Sequence, residues 1–429
     1  MSALSERQRD ELHRALLEYF AQSEFRAAYD ALAYDTNLES YVPDPKGKYA
    51  ALLEKKWLST IRLQKKNLEL EAKVRQLEQE LQSAPSARRG ASVADWYPRN
   101  PARHVLTGHR QPVTDVAFHP HFSQLASASE DTTIKIYDWE TGELEQTLKG
   151  HTKPVQSIEF DHSGQYLASC ASDLSIKLWD AAQAWKNVRT MYGHEHSVSC
   201  IRFFPGDRHL VSASRDKTLR IWETATGFCV KTLHGHDDWV RTVAVADDAR
   251  SLASGSSDQT VRIWDAQTGE VRHELRGHEH VVECVAFAPV SAYPAIHTLA
   301  GIRVPKDDPA ATQPGQFLAS GSRDKTILLW SQQGQCLRVL SGHDNWVRAL
   351  VFSPSGKHLV SVSDDKTMRV WEVSSGRCLK VVDCHSHFTT CVAWGRGSVP
   401  TSAEPAASAA PVNVVATGSV DLSVKVWAP

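Results

Sequence analysis

A histidine, an aspartate and a hydroxyl recur together seven times in this chain. That set builds nucleophilic catalysis, in which a carboxylate orients an imidazole and the imidazole activates a hydroxyl. The histidines sit in Gly108-His109, Gly150-His151, Gly193-His194, Gly235-His236, Gly277-His278, Gly342-His343 and the degenerate Cys384-His385, at intervals of 42, 43, 42, 42, 65 and 42 residues. The aspartates are Asp131, Asp173, Asp216, Asp258, Asp324, Asp365 and Asp421; five lie 22 residues after their histidine, the fifth 46 and the seventh 36. Four residues before each aspartate stands Ser127, Ser169, Ser212, Ser254, Ser320, Ser361 or Thr417, and six after it Tyr137, Trp179, Trp222, Trp264, Trp330, Trp371 or Trp427. A hydrolase needs one such site, so seven equivalent copies read as a structural network carried by a repeat. No catalytic residue is expected. Cys384, His385, His387 and Cys391 cluster without metal-ligand spacing, and no Walker or dinucleotide glycine loop occurs, so neither metal nor cofactor is expected.

Between these markers lie short alternating segments such as TIKIYD, SIKLWD, TLRIWE, TVRIWD and TMRVWE, bounded by turn residues. A unit of 42 residues holds four such strands. Residues 103–429 resemble the WD-repeat family, although the Trp-Asp dipeptide survives only at Trp179-Asp180 and Trp264-Asp265. The resemblance implies an all-β, seven-bladed WD-repeat β-propeller of four-stranded blades. It also implies a tetrad in each blade: aspartate accepts from histidine, histidine bonds the hydroxyl, and the hydroxyl accepts from the indole N–H. His151, Ser169, Asp173 and Trp179 form one such set, and His194, Ser212, Asp216 and Trp222 the next. The chain stops two residues after Trp427, before a fourth strand, while ARHVLTGH aligns with the fourth-strand segments EQTLKGH, VKTLHGH and LRVLSGH. Residues 103–107 are therefore expected to complete the last blade and close the ring. The long fifth and seventh spacings place insertions near 290–315 and 397–411, whose Pro, Ala and Ser content suggests mobile loops.

Ahead of the repeats, residues 5–34 read as two helices. Ser5 with Gln8 makes a capping-box pattern, Leu12, Leu16, Tyr19 and Phe20 share one face, and Ser23 precedes a second helix presenting Phe25, Ala28, Tyr29 and Leu32. Two such short helices bury their apolar faces most simply against a second copy. This stretch, assigned to residues 1–40, is similar to the Lis homology motif, an α-helical dimerisation module. Residues 50–82 lack Pro and Gly and carry a heptad seam of Leu63, Asn67, Leu70, Val74, Leu77 and Leu81, with Lys66 and Lys73 at g and Glu71 and Glu78 at e. That register specifies a parallel, two-stranded coiled coil, with Asn67 at a favouring two in-register chains. Residues 83–102 then serve as a linker.

This order resembles the lissencephaly-type dynein regulators, known in fungi as nuclear distribution proteins. The resemblance implies a non-catalytic homodimer that binds the cytoplasmic dynein heavy chain, modulates microtubule attachment and supports assembly of dynein complexes for nuclear migration and for spindle and vesicle transport. It implies NudE-type coiled-coil adaptors as further partners, and residence in the cytoplasm on the cytoskeleton, at microtubule ends and the spindle pole or centrosome. By motif match the dynein-contacting set is Lys149, Arg215, Arg241, Arg323 and Trp346, on the ring surface that carries the Gly-His loops. Trp239 and Arg348 lie at equivalent repeat positions. The alternative is a nuclear corepressor or transcription-complex scaffold, which also joins a Lis homology motif to WD repeats; the coiled coil and the lack of a basic nuclear-targeting run argue against it.

Composition bounds the rest. The 429 residues carry 48 Lys+Arg against 50 Asp+Glu, a net charge of -2 that argues against a nucleic-acid binder. The opening MSALSERQRDELHR is too charged for a secretory signal, and no 18-residue apolar run offers a membrane span. Eight cysteines without a CxxC pair fit scattered reduced thiols. The compositional outlier is tryptophan, with 13 copies.

Overall fold

Alternation of β-branched residues with polar ones marks one buried face of a strand: in Thr133–Asp138 (TIKIYD) Ile134 and Ile136 are buried on that face, and Tyr137 is buried on the other. A computed structural model describes residues 6–23, 25–36, 38, 41–44, 66, 96–302, 313–398 and 411–429. The chain divides into two units, Met1–Gly90 and Ala91–Pro429. The seam residues Leu63, Asn67, Leu70, Val74, Leu77 and Leu81 lie outside the described residues.

In the first unit α1 (Glu6–Gln22) and α2 (Arg26–Asp35) are the described helices. The second begins with Phe25 at its N-cap and no side-chain cap, so Ser23 does not play that part. The buried stripe of α1 also differs from expectation. Ala15, Leu17 and Glu18 are buried, whereas Leu12 and Tyr19 are exposed. Glu18 is tolerated inside because its carboxylate accepts from the Tyr41 hydroxyl, the Asp44 amide and the Gln22 side chain.

The second unit is a ring of seven four-stranded antiparallel sheets. Six are sequential, beginning with the innermost strands Val113–Phe118, Val155–Phe160, Val198–Phe203, Val240–Val245, Val282–Phe287 and Val347–Phe352. The seventh contains Thr389–Ser398, Pro411–Ser419 and Ser423–Trp427, and its outer strand is His104–Thr107 from the other end of the domain. His104 pairs with Val426 and Thr107 with Ser423, and the Arg103 amide extends the ladder to the Val426 carbonyl at 2.7 Å. No blade is left with three strands.

Apolar side chains pack between neighbouring blades: Ile134, Ile136 and Leu148 of the first meet Val155, Ile158 and Phe160 of the second. Each ring joint is thus a small sheet-on-sheet core, and Trp179, Trp222, Trp264, Trp330, Trp371 and Trp427 are all at most 3% exposed within these cores.

Two segments are more ordered than their composition suggests. In the fifth-blade insertion, α3 (Tyr293–Ala300) buries Tyr293 and Ile296 against the fifth and sixth blades; residues 303–312 lie outside the description. The end of the linker also belongs to the propeller. Trp96 stands edge-on to Trp394 at 5.8 Å, Tyr97 packs on His358 at 5.4 Å, and Asn100 donates to the Asp383 carbonyl. The docked chain therefore starts near residue 96 rather than 103.

Candidate functional site

Six Gly-His loops and the Cys384-His385 loop meet seven Asp turns on one face of the ring. His151 Nδ1 lies 2.8 Å from Asp173 Oδ2 and its Nε2 2.8 Å from Ser169 Oγ, which accepts from Trp179 Nε1 at 2.8 Å. His194, Asp216, Ser212 and Trp222 repeat the arrangement at 2.6, 2.7 and 2.8 Å. Equivalent chains run through Trp264, Trp330 and Trp371. The first and seventh blades depart from the pattern. Tyr137 replaces the indole in one, and in the other His385 bonds Asp421 and Thr417 while Trp427 Nε1 has no hydrogen-bond partner among the described residues. Five tetrads are complete.

The aspartate does more than orient the histidine. Asp216 Oδ2 also accepts from the Glu195 amide, and its Oδ1 accepts from the Thr218 amide and hydroxyl. These bonds hold the intervening residue, Lys217, in left-handed backbone at φ 70°, and the same conformation recurs at Thr132, Leu174, Gln259, Lys325, Lys366 and Leu422. Burial alone would raise these carboxyls, but the converging hydrogen bonds outweigh it and hold Asp131 and Asp421 at about 2 and the other five lower still. The histidines are buried at 5–7% exposure, which leaves no room for a substrate at Ser212 or Ser169. The network fixes one face as a rigid platform.

On that platform stand the arginines and tryptophans. The Arg215 and Arg241 guanidiniums flank the Trp239 ring at 5.0 and 5.3 Å from its centroid, and Arg323 and Arg348 flank Trp346 at 4.2 and 5.0 Å. Each stack crosses a blade boundary, because one arginine precedes the Asp of one blade and the Trp-x-Arg belongs to the next Gly-His loop. Burial and the neighbouring charges of Arg323, Arg215 and Arg348 pull Arg241 below its ordinary value, partly offset by Glu283. The four guanidiniums therefore share one electrostatic site.

Of the residues singled out from sequence, Arg215, Arg241, Arg323 and Trp346 fall in this cluster. Lys149 stands exposed at the end of an outer strand opposite Thr133 in the first blade, and no hydrogen bond or ion pair among the described residues joins it to them. Trp346 is half-buried, and Trp239, at 37%, is the more exposed ring. Glu283 and Asp364 were missed as site residues. Glu283 accepts from Arg323 Nε, and Asp364 holds Arg348 through two bonds of 2.8 Å. Glu283 occupies the column of Arg241 and Arg348, five residues after its histidine, and a search restricted to basic and aromatic residues passes over it.

Among the described residues no group of three or more His, Cys, Asp or Glu side chains is placed to hold a metal ion. Cys384 and Cys391 are buried, and His385 is occupied by its tetrad. No helix among those residues is long and apolar enough to cross a membrane.

Residues 101–138, 142–180, 185–223, 227–265, 310–331 and 334–372 match the family described as WD domain, G-beta repeat, and residues 6–41 match the PAC1 LisH domain. Three of the four strands of the seventh blade fall outside the matched stretches, and the blade is recognised from its strand pairing. Over its full length the chain is 60% identical to the nuclear distribution protein PAC1 of Mycosarcoma maydis, covering 97% of that protein, and 57% identical to the protein of that name from Coprinopsis cinerea, covering 100%. The Tuber melanosporum protein of that name is 51% identical, with 98% of each chain covered.

Proposed function

The chain belongs to the nuclear distribution protein PAC1 family, and from that premise we propose that it is a non-catalytic regulator of cytoplasmic dynein serving nuclear distribution. The paired Arg–Trp–Arg stacks on the tetrad face carry this reading. Tryptophan and arginine dominate the energetics of protein interfaces, and here they are held on a rigid surface with a net excess of positive charge. The site binds the motor domain of the dynein heavy chain through Arg215, Arg241, Arg323 and Trp346, with Trp239 and Arg348 added and Lys149 as a peripheral contact. Bound there, the propeller modulates microtubule attachment and supports assembly of active dynein complexes.

Dimerisation belongs to the same proposal. Leu12, Tyr19 and Phe25 are 38, 38 and 56% exposed in the single chain, an apolar face suited to a second copy. With residues 50–82 as a parallel coiled coil, one dimer carries two propellers and gains effective concentration at the motor. A NudE-type coiled-coil adaptor completes the partner set, and the site of action is cytoplasmic, at microtubule ends and the spindle pole. The nuclear-distribution names of relatives matched over the whole chain favour this over the corepressor alternative. Capture of purified dynein motor domain by immobilised full-length protein tests it. Stoichiometric retention is expected, and absence of retention at micromolar concentration overturns it.

A further inference from the structure

A cavity of about 520 Å³ lies on the axis of the ring, walled by all seven innermost strands. Its lining comes from their last residues, so it sits at the end of the channel away from the histidine loops of the tetrads. The seven strands align residue for residue, and each blade contributes to each level of the channel. The sixth residues are Phe118, Phe160, Phe203, Val245, Phe287, Phe352 and Trp394, and all but Phe203 line the cavity as an apolar collar. Three of its rings are braced from behind. Phe118 stands edge-on to Trp139 at 6.5 Å, Phe160 to Trp185 at 5.7 Å and Trp394 to Trp96 at 5.8 Å. Beyond the strand ends, Pro289 and Pro354 continue the apolar rim and Asp247 adds an exposed carboxylate.

One residue inside the collar the repeat pattern breaks. The fifth positions are Ala117, Ala244, Ala286, Val351 and Ala393 in five blades, but Glu159 and Arg202 in the second and third, and Asp115 stands at the third position of the first. All three charged residues line the cavity. Asp115 is satisfied within the protein: its carboxylate accepts from the Ser157 hydroxyl at 2.7 Å and from the Ile158 and Val116 amides. Arg202 donates from Nη1 to the Ile201 carbonyl at 2.7 Å, and its Nε lies 3.7 Å from Glu159 Oε1, too far for a hydrogen bond. The other Glu159 oxygen accepts from the Phe203 amide. One guanidinium thus serves two carboxylates, and of the charged residues lining the cavity, Asp115, Glu159, Arg202 and Asp247, three are acidic. Burial pushes the Glu159 carboxyl up to about 7, with Arg202, the Phe203 amide and His162 pulling it down and Asp115 adding to the rise. The Glu159 side chain is still 29% exposed, within reach of a ligand in the cavity.

We propose that this cavity binds a lysine side chain carried on an apolar segment of a partner protein, with the ammonium paired to Glu159 and the stem lying in the aromatic collar. Glu159 stands one strand residue, about 3.3 Å, inside the collar, so the ligand must carry its charge past the rings on a long unbranched stem. An ammonium there gains from the ring faces and the carboxylate together. Lysine suits the site better than arginine, whose planar fork wants both carboxylate oxygens, and one of those of Glu159 is engaged by the Phe203 amide. The apolar rim fits the residues that flank a lysine in a protein segment. It offers little to a free polyamine, whose further ammonium groups would find Asp247 as the one carboxylate lining the rim. The assignment does not rest on what the tetrad face binds, because the two sites lie at opposite ends of the same strands.

Saturation-transfer NMR on the full chain tests it with three probes: the peptide acetyl-Gly-Leu-Lys-Leu-Gly-amide, the same peptide with norleucine in place of lysine, and spermidine. Wild type is expected to bind the lysine peptide at millimolar concentration or below, and the norleucine peptide at least about tenfold more weakly. Glu159→Gln keeps an acceptor for the Phe203 amide and removes the charge, so an affinity loss of about tenfold is expected, with a thermal melt as the folding control. In wild type the affinity should rise between about pH 6 and 8 as Glu159 ionises, and in Glu159→Gln that rise should vanish. If Glu159→Gln melts early, Ala286→Lys is read instead: it tethers an ammonium in the channel on the wall opposite Glu159 and should exclude the peptide. No binding of the lysine peptide to wild type, equal binding of the two peptides, undiminished binding by a folded Glu159→Gln or Ala286→Lys, or a pH dependence that survives in Glu159→Gln overturns the proposal. Spermidine bound more tightly than the peptide, and dependent on Glu159, also overturns it and assigns the cavity to a free polyamine.

Discussion

The Arg323 guanidinium lies 4.2 Å from the centre of the Trp346 ring, although the two residues belong to different blades. Glu283 holds the arginine from behind, so the stack is built before any partner arrives and little side-chain freedom remains to be lost on binding.

Arg323→Lys tests that preorganisation while keeping the charge. A lysine ammonium cannot both hold Glu283 and lie flat on an indole. Affinity for the dynein motor domain is expected to fall by about 1 kcal/mol, the scale of a cation–π contact. The chain should retain its wild-type melting temperature, because the site is peripheral to the blade cores. Isothermal titration against the motor domain, with a thermal melt beside it, checks both.

The incomplete seventh tetrad supplies an internal control for the network. Trp222 Nε1 donates to Ser212, whereas Trp427 Nε1 finds no acceptor among the described residues. Trp222→Phe therefore removes a buried hydrogen bond as well as ring volume, and Trp427→Phe only the volume. Urea unfolding should find Trp222→Phe the more destabilising by about 1 kcal/mol.

Acid should attack the turns. Every tetrad carboxyl is held below the ordinary value of 3.8, Asp131 and Asp421 at about 2. A depressed folded-state value means that the unfolded chain binds the proton more readily; the stabilisation is therefore complete above about pH 4 and lost as pH falls toward 2. The urea midpoint of wild type is expected to decline across that window. Asp131→Asn should be less stable than wild type at pH 7, with the gap narrowing as pH approaches 2.

Gly356 anchors the fifth-blade insertion. It adopts φ 71°, and a Cβ there would meet the Ala292 backbone nitrogen at 2.2 Å. Gly356→Ala must push the turn that precedes α3 off the sixth blade, at about 2–4 kcal/mol, in line with backbone strain combined with a steric clash. Hydrogen exchange should show residues 290–300 losing protection first.

Truncating the chain to begin at Ser92 tests the dimer without disturbing the docked Trp96 and Tyr97. Sedimentation should return a monomer with an intact propeller. A dimer would place the self-association in the ring instead.

The propeller was legible because its tetrads sit at fixed offsets from one another, and the missing outer strand of the seventh blade because 103–107 aligned with the other outer strands. What escaped the sequence reading depends on tertiary contact. Tyr293 and Ile296 lie one helical turn apart, but Pro294 and the surrounding Ala-rich stretch disguise a helix that forms against Leu340 and its neighbours. Trp96 and Tyr97 read as linker because their partners, Trp394 and His358, are some 260 to 300 residues away. Within the site, the arginines stood out individually. Their pairing through the two tryptophans became visible only when adjacent blades were brought together.

The central claim is that the tetrad face binds dynein, and its most direct test combines Arg215→Ala, Arg241→Ala, Arg323→Ala and Trp346→Ala in the full chain. Removing four such anchors is expected to weaken motor-domain binding by more than about 100-fold, while the melting temperature and sedimentation coefficient stay at wild-type values. Wild-type affinity in a folded quadruple variant would contradict the account.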